Sequence, residues 1–327
     1  MINIRKMKIK LLILSLAAAT AWSGCRNNSA ELENISDSTA VVYMPQAVIA
    51  PAVYSFEISG KGDSIVYGAC YGGPHSPASD INVKFKVDAS LTDHFNTNNF
   101  TSYPVLPEGS YELEQSSAVI PAGRFSTAPL NLVVHMDKLD GVGSYLLPVT
   151  IETSMKVNEK LRTAYFLISG RYAANPFPML DRSNWNITGF SSEETTGEGA
   201  TNGHAIQALD GDTATFWSTR WKASKPGPPH YITIDTQVEQ KIHGISITGR
   251  TDKNTGEVKA TGNPKNIIVE LSRDGATWNY AESFTLANDK VSTVYLAYAQ
   301  QARFVKLTVN TSQGDIYLTH IAEINAF

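Results

Sequence analysis

Apolar residues recur in this chain at every second position. Ile81, Val83, Phe85 and Val87 alternate with Asn82, Lys84, Lys86 and Asp88. Successive side chains of an extended strand point to opposite faces, so this run has one buried and one wet face. Leu130, Leu132, Val134 and Met136 repeat the pattern, as do Tyr145, Leu147, Val149 and Ile151. Further strand-like runs are A-V-V-Y-M, V-Y-S-F-E-I, Y-E-L-E and T-A-Y-F-L-I, broken by P-E-G-S, P-A-G and D-G-V-G. No stretch of helical length competes with the two-residue period. Short one-sided strands separated by tight turns build a sandwich of antiparallel sheets.

The 327 residues suffice for two domains. The first spans 40–172. The segment 173–183, A-A-N-P-F-P-M-L-D-R-S, carries two prolines that favour extended backbone and reads as a linker. The second domain, 184–327, is again strand-rich, with Y-I-T-I-D, I-S-I-T, N-I-I-V-E-L-S, F-V-K-L-T-V and I-A-E-I-N-A-F. An all-β chain is expected throughout.

Ahead of these domains, the apolar stretch Leu11 to Trp22 follows Arg5, Lys6, Lys8 and Lys10 and leads to Ser23, Gly24 and Cys25. It is well short of the roughly 20 residues that cross a bilayer and has the layout of a secretory signal. A small pair directly before a cysteine resembles the lipobox of bacterial lipoproteins, which implies cleavage before Cys25 and a lipid on its sulfur. The alternative is a plain secretory signal with an incidental cysteine. The expected layout is a signal peptide over 1–24 and a polar tether over 25–39. The protein would then be lipid-anchored in the outer membrane, facing the exterior, and touch the membrane only through that anchor.

Charge and cysteine usage narrow the function. The formal net charge is −4, and removing residues 1–24, with four basic and no acidic residues, leaves −8. A nucleic-acid binder would carry a basic excess, so nucleic acid is not an expected partner. Cys25 and Cys70 are the two cysteines. With Cys25 lipidated, disulfides are not the scaffold, and Cys70 reads as a small core residue.

The first half resembles the domain of unknown function 1735 (DUF1735) of surface lipoproteins in Gram-negative glycan-utilisation systems. The resemblance rests on I-N-V-K-F-K-V-D-A-S-L, H-F-N-T, Y-P-V-L-P-E-G-S-Y-E-L, A-V-I-P-A-G-R and Y-L-L-P-V-T-I, in that order. It implies an Ig-like β-sandwich that precedes a glycan-active or glycan-binding module. Other surface glycan-utilisation proteins are possible partners on this ground. The second half resembles the discoidin, or coagulation factor 5/8 type C, domain, whose bacterial members include carbohydrate-binding module family 32. The segments are A-L-D-G-D-T-A-T-F-W-S-T-R-W, Y-I-T-I-D, G-R-T-D with N-P-K-N-I-I-V-E-L-S-R-D-G-A-T-W, A-R-F-V-K-L-T-V and A-E-I-N-A-F. The implied fold is an eight-stranded β jelly roll whose first and last strands lie together.

Asp210, Gly211, Asp212 and Thr215 form an oxygen-rich turn. Taken alone it is a surface turn with Asx-type hydrogen bonds, because four residues cannot supply the six to eight oxygens that Ca²⁺ takes. The resemblance implies a structural calcium held by Asp210, Thr215, the carbonyls of Gln207 and Asp212, and Glu323, with the Ala322 carbonyl as a further candidate. Trp217 and Trp278 read as core. Trp221 opens the polar, Pro-rich segment K-A-S-K-P-G-P-P-H, where an indole either stacks on a sugar ring or covers the barrel end. Arg250 matches the arginine with which sugar-binding members hold ring hydroxyls; a solvated arginine is the alternative. Asp252 and Asn254 have fitting polarity, and Tyr317 is a second stacking candidate by loop position. Galactose-selective members carry a histidine in or just after the W-x-T-x-W segment, whereas position 218 is Ser and the nearest histidines are His204 and His230.

No metalloprotease, nucleophile-elbow, P-loop or zinc-spacing motif is present in the sequence. Glu193 and Glu194, adjacent on a loop, read as a solvated edge. The expected function is therefore non-catalytic glycan binding by loops of the C-terminal jelly roll. A protein–protein or adhesion module is the second reading, and an unrecognised glycosidase the third.

Overall fold

The structure is a computed structural model that describes residues 39–327. The expected signal segment, Cys25 and the tether up to residue 38 lie outside the described residues.

The N-terminal half is a β-sandwich. Its elements are β1 (Val41–Tyr43), β2 (Ala52–Glu57), β3 (Asp63–Tyr67), β4 (Cys70–Gly72), β5 (Ile81–Val87), α1 (Leu91–Asn99), β6 (Tyr111–Leu113), β7 (Ser117–Ile120), β8 (Leu130–Val134), β9 (Ser144–Glu152) and β10 (Thr163–Arg171). One sheet runs β2-β10-β9-β5-β7, a second runs β3-β8-β6, and β1 pairs with β4. All pairings are antiparallel except the parallel pair of β2 and β10. The period-two residues do what their spacing requires: Val83, Phe85, Leu132, Val134, Leu147 and Ile168 share one core while Asn82, Lys84 and Lys86 stay exposed.

Two features depart from the alternation. Strand β9 is buried from Tyr145 to Ile151 on both faces, because α1 lays Phe95 over Leu146 and Leu167 on the outer side. That helix is missing from the sequence expectation. It buries Thr92 and Phe95 alone, too little to register as a helical period. Cys70 is half-buried rather than a core residue, and burial raises its thiol pKa.

The C-terminal half is a jelly-roll-like curled sheet made of β11 (Asn186–Phe190), β12 (Trp217–Ser218), β13 (His230–Thr248), β14 (Pro264–Ser272), β15 (Trp278–Thr285), β16 (Val291–Ser312), β17 (His320–Ile321) and β18 (Glu323–Ala326). The main sheet runs β11-β13-β16-β14-β15, with β18 also on β13, and β12 pairs with β17. Register shifts between Asp235 and Gln240 and between Ile242 and Gly244 interrupt the long β13 and β16 ladder. The first and last strands do not pair with each other. Both pair with β13, the first along Ile232–Asp235 and the last along Ile245–Thr248.

Trp217 lies fully buried in this core, its indole N–H donating to the Ser192 carbonyl at 2.9 Å. Trp278 departs from expectation. It sits half-buried at the start of the edge strand β15, with the Lys306 ammonium 5.6 Å from its ring centroid.

The two halves meet through D-G-V-G, which is more than a turn. Gly143 N–H donates to the Ala297 carbonyl at 2.7 Å, Ala299 N–H to the Asp140 carbonyl at 2.9 Å, and Lys241 Nζ reaches Asp140 at 2.6 Å. A side chain at Gly141 would collide with the Ala297 carbonyl, and the φ of 130° there also favours glycine. Beside this contact Phe177 stacks on His243 with centroids 3.8 Å apart.

Candidate functional site

Four loops meet at one end of the C-terminal domain: 191–203, 209–216, 219–229 and 249–263. Glu194 ties the first to the third. It is 2% exposed. One carboxylate oxygen accepts from Thr196 N at 3.0 Å, the Thr196 hydroxyl at 2.9 Å and Gly197 N at 2.8 Å. The other accepts from Trp221 N at 3.0 Å and Lys222 N at 2.8 Å. Burial on its own raises the pKa, but these donors outweigh it and hold the carboxyl at about 2. Glu194 is therefore an ionised tie between loops, correcting its reading as a solvated edge. Gly203 packs so tightly on the Glu194 carbonyl that any Cβ would collide, and its φ is 99°.

From Glu194 the network runs to the cleft. Glu198 accepts the Trp221 indole N–H at 2.9 Å and faces Arg250, whose nearest nitrogen is 3.4 Å away. The Arg250 guanidinium lies 3.8 Å over the centroid of Phe216, a cation–π contact. Its Nη1 approaches His320 Nε2 at 3.3 Å. Burial, and then the charges of Arg250 and Lys259, push the His320 pKa down to about 3. The ring is thus neutral near pH 7 and accepts from the guanidinium through Nε2. Arg250 is held on three sides.

The cleft beside it has a volume of about 520 Å³ and is lined by Glu198, Asn202, Phe216, Arg250, Asp252, Lys253, Asn254 and Lys259, among others. The structure brings together three of the five expected ligand residues, Arg250, Asp252 and Asn254. Asp252 also shapes its loop. Lys259 Nζ at 2.6 Å and the N–H groups of Asn254 and Thr255 bond its carboxylate and hold the pKa at about 2. Trp221 and Tyr317 are not among the lining residues. Trp221 is half-buried against Gly197, and Tyr317 sits beneath Lys225, whose ammonium is 5.2 Å from the ring centroid. His204 stays outside too, capping the short 3₁₀ turn of Ala205–Ala208. Sequence reasoning missed Glu198 and Phe216.

Of the residues expected to hold a cation, Asp210, Asp212 and Thr215 share a turn elsewhere in the domain, and Glu323 lies beside Asp210. Asp210 accepts from Asp212 N at 2.9 Å and from the Thr215 hydroxyl at 2.6 Å, and the Asp212 carbonyl lies 2.9 Å from the same hydroxyl. Glu323, buried on β18, feels Asp210 beside it. Burial first, opposed by Arg182, leaves its pKa raised. Arg182 bonds one Glu323 oxygen, and the other, Oε1, is buried with no hydrogen-bond partner among the described residues. Gln207 is buried with its side chain bonded to His204 N and the Thr201 carbonyl, and Ala322 is buried next to Glu323. Two carboxylates far apart in sequence, one of them with an unpartnered oxygen, and a hydroxyl are hard donors of the kind Ca²⁺ takes. Among the described residues no group of three or more His, Cys, Asp or Glu side chains converges.

A curated relative, a sialidase from Micromonospora viridifaciens, is 29% identical over 150 residues, 45% of this chain. The match spans 22% of the sialidase, about a fifth of its length. Among solved structures, the C-terminal domain of a chitobiase from Bacteroides fragilis is 29% identical, covers 46% of this chain and 97% of that one, and has a TM-score of 0.40. The family 32 carbohydrate-binding module of NanJ from Clostridium perfringens, in complex with galactose, is 23% identical, covers 45% of this chain and 96% of that one, and has a TM-score of 0.36. Residues 36–158 match a family described as an N-terminal domain. Residues 187–324 match the F5/8 type C domain, so the chain joins an N-terminal family domain to a C-terminal F5/8 type C-like domain.

Proposed function

We propose that this protein is a non-catalytic, lipid-anchored surface protein that binds carbohydrate in the Arg250 cleft. The observation that carries the reading is the immobilised guanidinium. Glu198, His320 and the Phe216 face hold it, while Nε–H and one Nη2–H have no hydrogen-bond partner among the described residues. A planar pair of donors spans two neighbouring sugar oxygens, and Asn202, Lys253 and Asn254 add polar groups around it. The match of residues 187–324 to the F5/8 type C domain supports the same reading.

The test is titration of the full chain with host and plant glycans. Hydroxyl desolvation offsets most of each hydrogen bond, so dissociation constants of about 0.1 to a few mM are expected, with avidity on polymers. Arg250→Ala should weaken binding roughly 10- to 100-fold, as expected for hydrogen bonds to a charged group worth about 1.5–3 kcal/mol. Absence of binding to any glycan by the wild-type chain would put the adhesion reading first.

A further inference from the structure

The N-terminal sandwich holds an aromatic side chain that the cleft reading leaves unexplained. Phe100, at the C-terminal end of α1, is 98% exposed. Its backbone is left-handed, φ 54° and ψ 43°, a conformation that suits glycine or asparagine and strains a side chain like phenylalanine. Folding gains nothing from burying this ring and loses something by holding it there.

The surroundings fix it in place. Phe100 N–H and Thr101 N–H both donate to the Asn96 carbonyl. The Asn96 side chain accepts from the Thr101 hydroxyl at 2.9 Å and from Tyr103 N at 3.0 Å, and donates to the Tyr103 carbonyl at 2.8 Å. Tyr103 packs on the cluster of Phe95, Leu146 and Leu167. A local strain that its neighbours over-determine in this way is a mark of functional positions.

Around the ring lies a shallow depression lined also by Asp93, Thr97, Ser102 and Tyr103. The side chains of Asp93, Thr97 and Ser102 make no hydrogen bond among the described residues. We propose that the C-terminal end of α1 is a second saccharide-binding site, in which Phe100 stacks on the C–H face of a sugar ring and Asp93, Thr97 and Ser102 take its hydroxyls. An aromatic ring rimmed by uncharged and acidic oxygens suits one sugar unit. Protein docking calls for roughly 800 Å² of contact per partner, and this rim offers one exposed apolar side chain. The site lies in the other domain and does not depend on the Arg250 cleft.

The experiment is saturation-transfer NMR on the full chain with the methyl β-glycosides of galactose, glucose and N-acetylglucosamine. In an Arg250→Ala background, which weakens the cleft roughly 10- to 100-fold, transfer to a glycoside should persist and should fall sharply when Phe100→Gly is added. Phe100→Gly should melt at the same or a higher temperature than its parent, because glycine relieves the left-handed strain; that result separates lost stacking from lost folding. Phe100→Trp should restore the signal. The inference is overturned if Arg250→Ala shows no transfer, or if adding Phe100→Gly leaves transfer unchanged. The cleft reading fails by a different result, undiminished binding in Arg250→Ala together with none in Phe100→Gly.

Discussion

Replacing Glu194 by Ala removes the acceptor for four backbone N–H groups and one hydroxyl. Water can reach the exposed Thr196 and Lys222, so two donors, on the half-buried Gly197 and Trp221, lose their partner without replacement. At about 1–3 kcal/mol for each unsatisfied buried donor, the two together cost roughly 2–6 kcal/mol. Total stabilities run to about 5–15 kcal/mol, so the melting temperature of the C-terminal half should fall by on the order of 10 °C. Glu194→Gln is the sharper variant. It keeps the volume, but its amide nitrogen would face N–H groups, so it should be nearly as damaging. The pH dependence has a fixed sign. A carboxyl at about 2 when folded and about 4.3 when unfolded adds stability that is full above pH 4.3 and disappears as pH falls toward 2. The gap between wild type and Glu194→Gln in calorimetric melts should therefore narrow over that window. Superimposable melts at pH 7 would refute the reasoning, because they would mean that the five donors do not need the carboxylate.

Three further outcomes can be measured. Chelation should lower the melting temperature of the calcium-loaded protein, since a ligand at a hundredfold excess over its Kd stabilises by about 2.7 kcal/mol; Asp210→Ala should erase the difference, and equal melts with and without chelator would leave a plain turn. Gly141→Ala, whose Cβ meets the Ala297 carbonyl, should loosen the junction between the halves and broaden the small-angle scattering profile without touching monosaccharide affinity. Cys25→Ala should release the protein from membranes or leave it unprocessed, and unchanged detergent partitioning would rule out the anchor.

The strands were legible because alternation is a local property. Ile81 to Val87 announces its buried face whatever lies above it. What lies above was not legible: β9 reads as one-sided until α1 covers Leu146, and α1 itself shows too few apolar residues to be seen. The cleft divides in the same way. Arg250, Asp252 and Asn254 stand close in sequence and came into view together. Glu194 did not, because its deciding partners, Trp221 and Lys222, are 27 and 28 residues away. Half of its role was nevertheless written locally, since a carboxylate followed by Thr196 and Gly197 can bond the N–H groups two and three residues on. Phe216 was hidden by its neighbour Trp217, which fills the core while Phe216 supports Arg250 from below.

The junction bears on how such a protein meets a polymer. Backbone hydrogen bonds, the pair of Lys241 and Asp140, and the stacked rings of Phe177 and His243 hold the two halves as neighbours in a fixed register. A flexible linker would let the α1 site and the Arg250 cleft meet any glycan with two binding units, at an effective concentration set by linker length. If both proposed sites bind glycan, a fixed junction would select glycans whose units recur at the distance the fold imposes, and would give no avidity to others. Weak affinity at each site is then compatible with discrimination between polymers of the same sugar. The specificity would reside in D-G-V-G, a segment that touches no ligand.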